Sequence, residues 1–192
     1  MKADKTMSLE LTQPVVWVPI PGGTCLFGDR QRPLVIPDLE WTATPLTCGQ
    51  LGMPGGDFPL TRVVQAQAAH LAAEVGGRLP KSSEWEWAAA GAERRPYPWG
   101  SDEPEPHMAN LRGGPGRTTP VTDHPAGATP NGLFDMAGNC WEWTSSATLG
   151  GGFVIRGASF NSLALYAGST FLNAAPAELA SCGIGVRVVR AA

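Results

Sequence analysis

The sequence predicts a loop-rich domain that combines short strands with two helices, and three observations carry this expectation. The chain holds 24 Gly and 18 Pro among 192 residues, well above the roughly 12% combined share of an average protein, and they are spread along its whole length. A β-branched run near the start ends on a strong turn signal. Two later segments carry both the start and the stop signals of a helix.

In chain order, residues 15–23 (VVWVPIPGG) open with that β-branched run and close on Pro-Gly-Gly, the pattern of a first strand leading into a hairpin. Residues 61–77 (TRVVQAQAAHLAAEVGG) place Val64, Ala68, Leu71 and Val75 on one helical face, with Thr61 placed to cap the start and Gly76 the end. Residues 81–91 (KSSEWEWAAAG) predict a second helix. Ser83 and Glu86 have capping-box spacing, Gly91 stands where a left-handed C-terminal residue is wanted, and Trp87 is expected to pack inward. Between Pro96 and Pro130 the spacing of the prolines forbids long helices, and the acids at 102–105 are expected to face solvent.

The totals exclude several classes of function. A formal charge of −3 and a pI near 5.6, with Lys and Arg scattered, leave no basic stripe for nucleic-acid binding. No run approaches the ~18 apolar residues of a membrane span, so direct membrane insertion is not expected, and the first residues lack the apolar core of an export signal. Cys25, Cys48, Cys140 and Cys182 have no zinc-like spacing and read as buried or free thiols. His70, His107 and His124 stand apart from one another and read as ordinary core or surface histidines. No Ser lies in a G-x-S-x-G elbow. The length suits a single domain over residues 1–192.

Residues 131–146 (NGLFDMAGNCWEWTSS) are the most specific stretch. Together with GRLPKSSEWEWAAAG, PYPWG, the Ala-Asn pair at 109–110, RGASF and IGVRV, they resemble the formylglycine-generating enzyme (sulfatase-modifying factor) family, in the correct order from about Val18 to Arg190. The resemblance implies an α+β, C-type-lectin-like fold of small mixed sheets, two main helices and many loops. It also implies where the family's copper-binding cysteine pair would fall. Aligned on Gly157-Ala158-Ser159, those two positions are Ser162 and Ala167, and neither can replace a thiolate. The related sulfoxide synthases that make thiohistidines carry an iron-binding H-x-x-x-H-x-E pattern, which this chain lacks. The expectation at this point is that the chain is not an enzyme and needs no cofactor, with an oxidase of the formylglycine-generating type as the remote alternative.

One ion stays open. The AGNCWEW turn resembles a calcium loop of the family, in which Glu142 would supply the charge and carbonyls near Gly138 and Cys140 the remaining oxygens. The alternative is that Glu142 bonds nearby backbone between two buried tryptophans.

From Ser159 to Cys182 the stretch is rich in Ser, Ala, Leu and Asn, without helical or strand period, and Glu178 is its one charge. This region resembles the variable segment of diversity-generating retroelement variable proteins, lectin-fold binders in which adenines, chiefly of AAC codons, are randomised. Such codons never yield Lys, Gln, Met, Trp or Glu. Those five types supply 30 of the 192 residues, so about four would be expected from Ser159 to Cys182, and only Glu178 occurs. The resemblance implies a hypervariable, ligand-binding face on residues 157–185, with Ser162, Leu163, Leu165, Tyr166, Phe171, Asn173, Ala174, Leu179, Ser181 and Cys182 as exchangeable positions. Gly157, Ser159, Gly185 and Arg187 are expected to be framework. Tyr with small polar residues makes an adaptable binding surface. The expected partner is a protein or other macromolecule, and the expected location is cytoplasmic or phage-associated. The competing reading makes Leu163, Leu165, Tyr166, Phe171 and Leu172 core, or the whole chain an accessory or structural module.

Overall fold

The computed structural model describes residues 11–192. The stretch read above for an export signal falls largely on residues 1–10, outside the described residues. The described chain opens with β1 (Trp17–Ile20), β2 (Gly23–Phe27), β3 (Arg32–Ile36) and β4 (Leu39–Thr42). The expected first strand is present, but it does not form a hairpin with the strand that follows. Instead β1 pairs antiparallel with β4, Val18 opposite Trp41, while β2 pairs with β3. Gly22 accounts for the difference. Its amide bonds Asp38 Oδ1 at 2.7 Å, and a Cβ there would fall 2.2 Å from Ile36 O. The Pro-Gly-Gly turn therefore lies against the end of β3, which leaves β4 beside β1.

Both predicted helices form. α1 (Gln65–Glu74) buries Ala68 and Ala72 completely. Val75 closes the predicted face, while Val64 and Leu71 are half-buried. The cap is Val64, whose amide bonds Gln67 Oε1 at 3.1 Å, rather than Thr61, which pairs with Gly185. α2 (Ser82–Ala90) starts two residues earlier than the Ser83/Glu86 box implies: Lys81 is the cap, and its amide bonds Glu84 Oε2 at 2.7 Å. Trp85 is the tryptophan fully inside. Trp87 is half-buried and donates its Nε1 to Pro21 O at 2.9 Å.

The second half supplies β5 (Trp141–Ala147), β6 (Gly152–Arg156), β7 (Leu172–Pro176), β8 (Ile184–Gly185) and β9 (Val189–Ala191). A four-stranded sheet runs β7-β6-β5-β8, with β8 parallel to β5 and the other pairs antiparallel. β9 returns to the edge of β4, so the two ends of the described chain share one sheet. This is the small-sheet, two-helix α+β architecture that the sequence predicts. One core lies between α1 and the four-stranded sheet, around Trp143, Ile155 and Val186. A second, around Trp85, Trp41 and Met136, lies between α2 and the early strands. The acids at 102, 103 and 105 are exposed, as expected. Among the described residues no helix is long and apolar enough to cross a membrane.

Candidate ligand-binding face

The four-stranded sheet sets the geometry of the site because alternate residues of β5 point to opposite faces. Trp141 and Trp143 share one face, and Glu142 turns to the other. Glu142 is fully buried and accepts from Trp85 Nε1 at 2.6 Å and Arg187 Nε at 2.8 Å. Burial pushes its carboxyl above the ordinary range, against the opposing pull of Arg187 and of the Trp85 bond. A second buried pair, Arg156 Nη2 with Glu86 Oε2 at 2.8 Å, also adjoins Trp85, with the guanidinium 5.1 Å from a Trp85 ring centre.

At the turn expected to hold calcium, around Gly138, Cys140 and Glu142, each carboxylate oxygen of Glu142 accepts one N–H, from Trp85 or from Arg187, so its charge is balanced by a buried arginine. The Gly138–Cys140 turn is itself closely packed. Gly138 sits at φ +81 with Asn110 O only 2.6 Å from where a Cβ would be, and Asn139 behind it ties residues 110, 119 and 135 together. Cys140 is buried as well, and burial pushes its thiol well up.

Segment 157–185 crosses this frame and is attached to it largely through its own main chain. Arg156 donates to Ser169 O at 3.0 Å and to Thr170 O at 3.2 Å, and Ser169 N bonds Pro96 O at 2.7 Å. Arg112 N bonds Ser162 O, Arg112 Nε bonds Asn161 O, and Phe160 N bonds Asn139 O. Further along, Gln65 N, Arg62 N and Trp141 N bond the carbonyls of Ala177, Ser181 and Gly183. None of these bonds uses a side chain of the segment.

The expected exchangeable positions divide into three groups. Leu163, Leu165, Asn173, Ala174, Leu179 and Cys182 are exposed, Leu165 to 61%. Tyr166 and Phe171 are half-buried, with rings 4.8 Å apart, packed on the larger core, so they are partly framework; Ser181 is half-buried too. Ser162 is corrected outright: it is buried, and its Oγ accepts from Ser159 N at 3.0 Å. Gly157, Ser159, Gly185 and Arg187 are all buried. Leu172, named in the competing reading as core, is exposed.

A groove of about 310 Å³ lies between the sheet and the loops of this segment, lined by Trp141, Ile155, Asn161, Asn173, Leu179 and Cys182 among others. Its β7 wall is an edge strand whose main chain is already occupied in places. Ala174 N bonds Asn173 Oδ1, Pro176 has no N–H to offer, and Pro176 O accepts from Leu179 N.

Residues 35–192 match the family model described as the sulfatase-modifying factor enzyme 1-like domain. The chain belongs to this family. Among its sequence relatives, hercynine oxygenase of Mycolicibacterium smegmatis is 44% identical over 95 residues, covering 47% of this chain and 22% of that protein. The formylglycine-generating enzyme of Mycobacterium tuberculosis is 36% identical over 101 residues, covering 46% of this chain and 33% of that one. The chain thus spans a fifth to a third of the length of these two relatives. Treponema denticola variable protein 1 superimposes with a TM-score of 0.76 at 18% identity, covering 98% of this chain and 99% of that one, so the fold is shared end to end.

These findings overturn the expectation that the chain is not an enzyme, since its sequence relatives are named as enzymes. That expectation rests on the missing copper thiols, the missing iron-binding pattern and the missing nucleophile elbow, and each of these describes one kind of site rather than a family's chemistry. The copper pair itself still does not fit. Ser162 is spent on Ser159 N, and Ala167 is a fully buried methyl.

Proposed function

We propose that this domain binds a protein or other macromolecular ligand through the exposed side chains of residues 157–185, in the manner of a diversity-generating retroelement variable protein. The observation that carries this reading is the main-chain attachment of the segment. A frame that holds a loop by its carbonyls and amides tolerates new side chains, because exchanging them leaves those bonds in place. The exposed leucines of the segment, Leu163, Leu165, Leu172 and the groove-lining Leu179, add to it, since they offer apolar surface to a partner. The test is genomic. An imperfect repeat of the DNA encoding residues 157–185, beside a reverse transcriptase gene and differing mainly at adenines, is expected. An isolated gene with no such repeat contradicts the retroelement reading.

The enzymatic relatives favour a second reading, in which the same groove holds a substrate for oxygen chemistry in a longer protein of the oxygenase kind. Oxygen uptake by the protein with hercynine as substrate tests it. Uptake that is lost in Leu179→Glu, a groove-lining change, supports this second reading, and uptake indifferent to that change removes the groove from it.

A further inference from the structure

We infer that the groove takes an uncharged apolar side chain, aliphatic or aromatic, presented by the main chain of a protein partner; the inference rests on the binding reading above and assigns the chemistry of its ligand. None of the residues lining the groove is charged. A carboxylate or ammonium placed there would shed water and meet no counter-charge, which disfavours ionic groups. The walls are apolar where Trp141, Ile155, Pro176 and Leu179 meet, and a volume of about 310 Å³ is near the lower limit of small-ligand pockets. That is room for an anchor side chain of the sort that dominates protein interfaces.

The rim adds a preference for peptide groups. Asn173 spends its Oδ1 on Ala174 N and keeps its Nδ2 donors, and the Asn161 side chain has no hydrogen-bond partner among the described residues. These amides suit a carbonyl and an N–H flanking the inserted side chain. The occupied edge of β7 argues against the other way of holding a peptide, by adding it as a strand, so recognition falls to the side chains. Leu163 and Leu165, in the same segment, are exposed as well.

The experiment uses the isotope-labelled full chain and capped amino-acid amides as probes. N-acetyl-leucine amide and N-acetyl-tryptophan amide are titrated against N-acetyl-arginine amide, N-acetyl-glutamate amide and N-acetylglucosamine, while the amide resonances of Asn173, Cys182 and Gly183 and the Trp141 indole N–H are followed. The neutral apolar amides are expected to shift these resonances saturably, at least tenfold more tightly than the charged amides or the sugar. Leu179→Glu, a change at an exposed position, is expected to weaken the leucine probe at least tenfold with the remaining spectrum preserved. If the sugar or a charged amide binds the groove as tightly as the leucine probe, the groove binds ligands but the assigned chemistry is wrong. If no probe moves the groove resonances, both this inference and the binding reading beneath it are overturned.

Discussion

Two regions of this molecule are held together in opposite ways. Around Trp85, cohesion runs through specific side chains. Glu142 is fixed by Trp85 and Arg187 and Glu86 by Arg156, all of them buried, while the half-buried Gly28 N adds a bond to Glu86. Across segment 157–185, cohesion with the frame runs mainly through main-chain atoms, and six of the ten positions expected to vary point outward. The first arrangement cannot tolerate substitution, because each loss strands a buried charge or donor. The second can, because its bonds do not depend on the residue type. Arg156 joins the two regions: one guanidinium pairs with Glu86 in the inner network and holds the carbonyls of residues 169 and 170 in the outer segment.

The comparison breaks most visibly at Arg187, and that is where the largest effect is expected. Arg187→Met leaves Glu142 buried without its counter-ion and frees the Thr42 and Phe134 carbonyls. Removing one partner of a buried pair costs about 3–5 kcal/mol. Denaturant midpoints should show this loss, with part of it recovered when Glu142→Leu is added. A loss near zero for the single change would remove the inner network from the account.

A smaller effect, dependent on pH, is expected at Asp135. Burial pushes this carboxyl up to about 6 from an ordinary 3.8, Asp123 adds to the push, and the Asn139 bond and Arg187 oppose it. Because the folded-state value is raised, the folded protein holds the proton more tightly than the unfolded chain. The stability this contributes is full below about pH 4 and is lost as pH rises through about 6. Asp135→Asn keeps an oxygen for Asn139 and suits the positive φ of 54°. The variant should match the parent near pH 3.5 and exceed it by about 2–3 kcal/mol at pH 7. Equal midpoints at both pH values would show that the carboxyl is not strained by burial.

Some of this was legible in the sequence and some was not, for physical reasons. The helices could be read because caps and Gly stops are local signals. The α2 cap was still misplaced, because the acid that looked like a capping residue, Glu86, is drawn inside by Arg156. The hairpin was misread because strand pairing is set by contacts between distant residues, here Gly22 against residues 36–38. Gly157, Ser159, Gly185 and Arg187 are buried and six of the ten positions that the resemblance implies as exchangeable are exposed, a division that no local period in the segment carries. Ser162 could not be read, since a Ser buried by its own neighbour Ser159 looks like any polar loop residue. The buried state of Glu86 and Arg156 carries no sequence signal, because charged residues are ordinarily outside, whereas Glu142 is flanked by two tryptophans that suggest it. The capacity for enzyme chemistry is not legible from missing motifs, because each motif reports one known site and not the others a fold can carry.

The smallest effect is expected at Ala158, which is fully buried at φ +67 between the two regions. A left-handed conformation costs a residue with a Cβ about 1 kcal/mol or more, and Gly avoids this at some cost in chain entropy. Ala158→Gly should therefore raise stability by up to about 1 kcal/mol in thermal and denaturant unfolding, and a loss would show that the Ala158 methyl packs better than its strain suggests.

The central claim, that the frame holds the segment by its main chain, is tested most directly by exchanging the exposed positions together. One protein would carry Leu163→Ser, Leu165→Ser, Asn173→Thr, Ala174→Ser, Leu179→Ser and Cys182→Ser, and its denaturant midpoint and near-UV spectrum would be compared with those of the single change Ile184→Ser in β8. Ile184 is buried, and truncating such a residue costs roughly 2–5 kcal/mol, whereas exposed changes stay within about 0.5 each. The account predicts that the sixfold variant keeps the parent near-UV spectrum and loses less stability than Ile184→Ser alone. A sixfold variant that loses its tertiary spectrum, or falls below Ile184→Ser in stability, would contradict it.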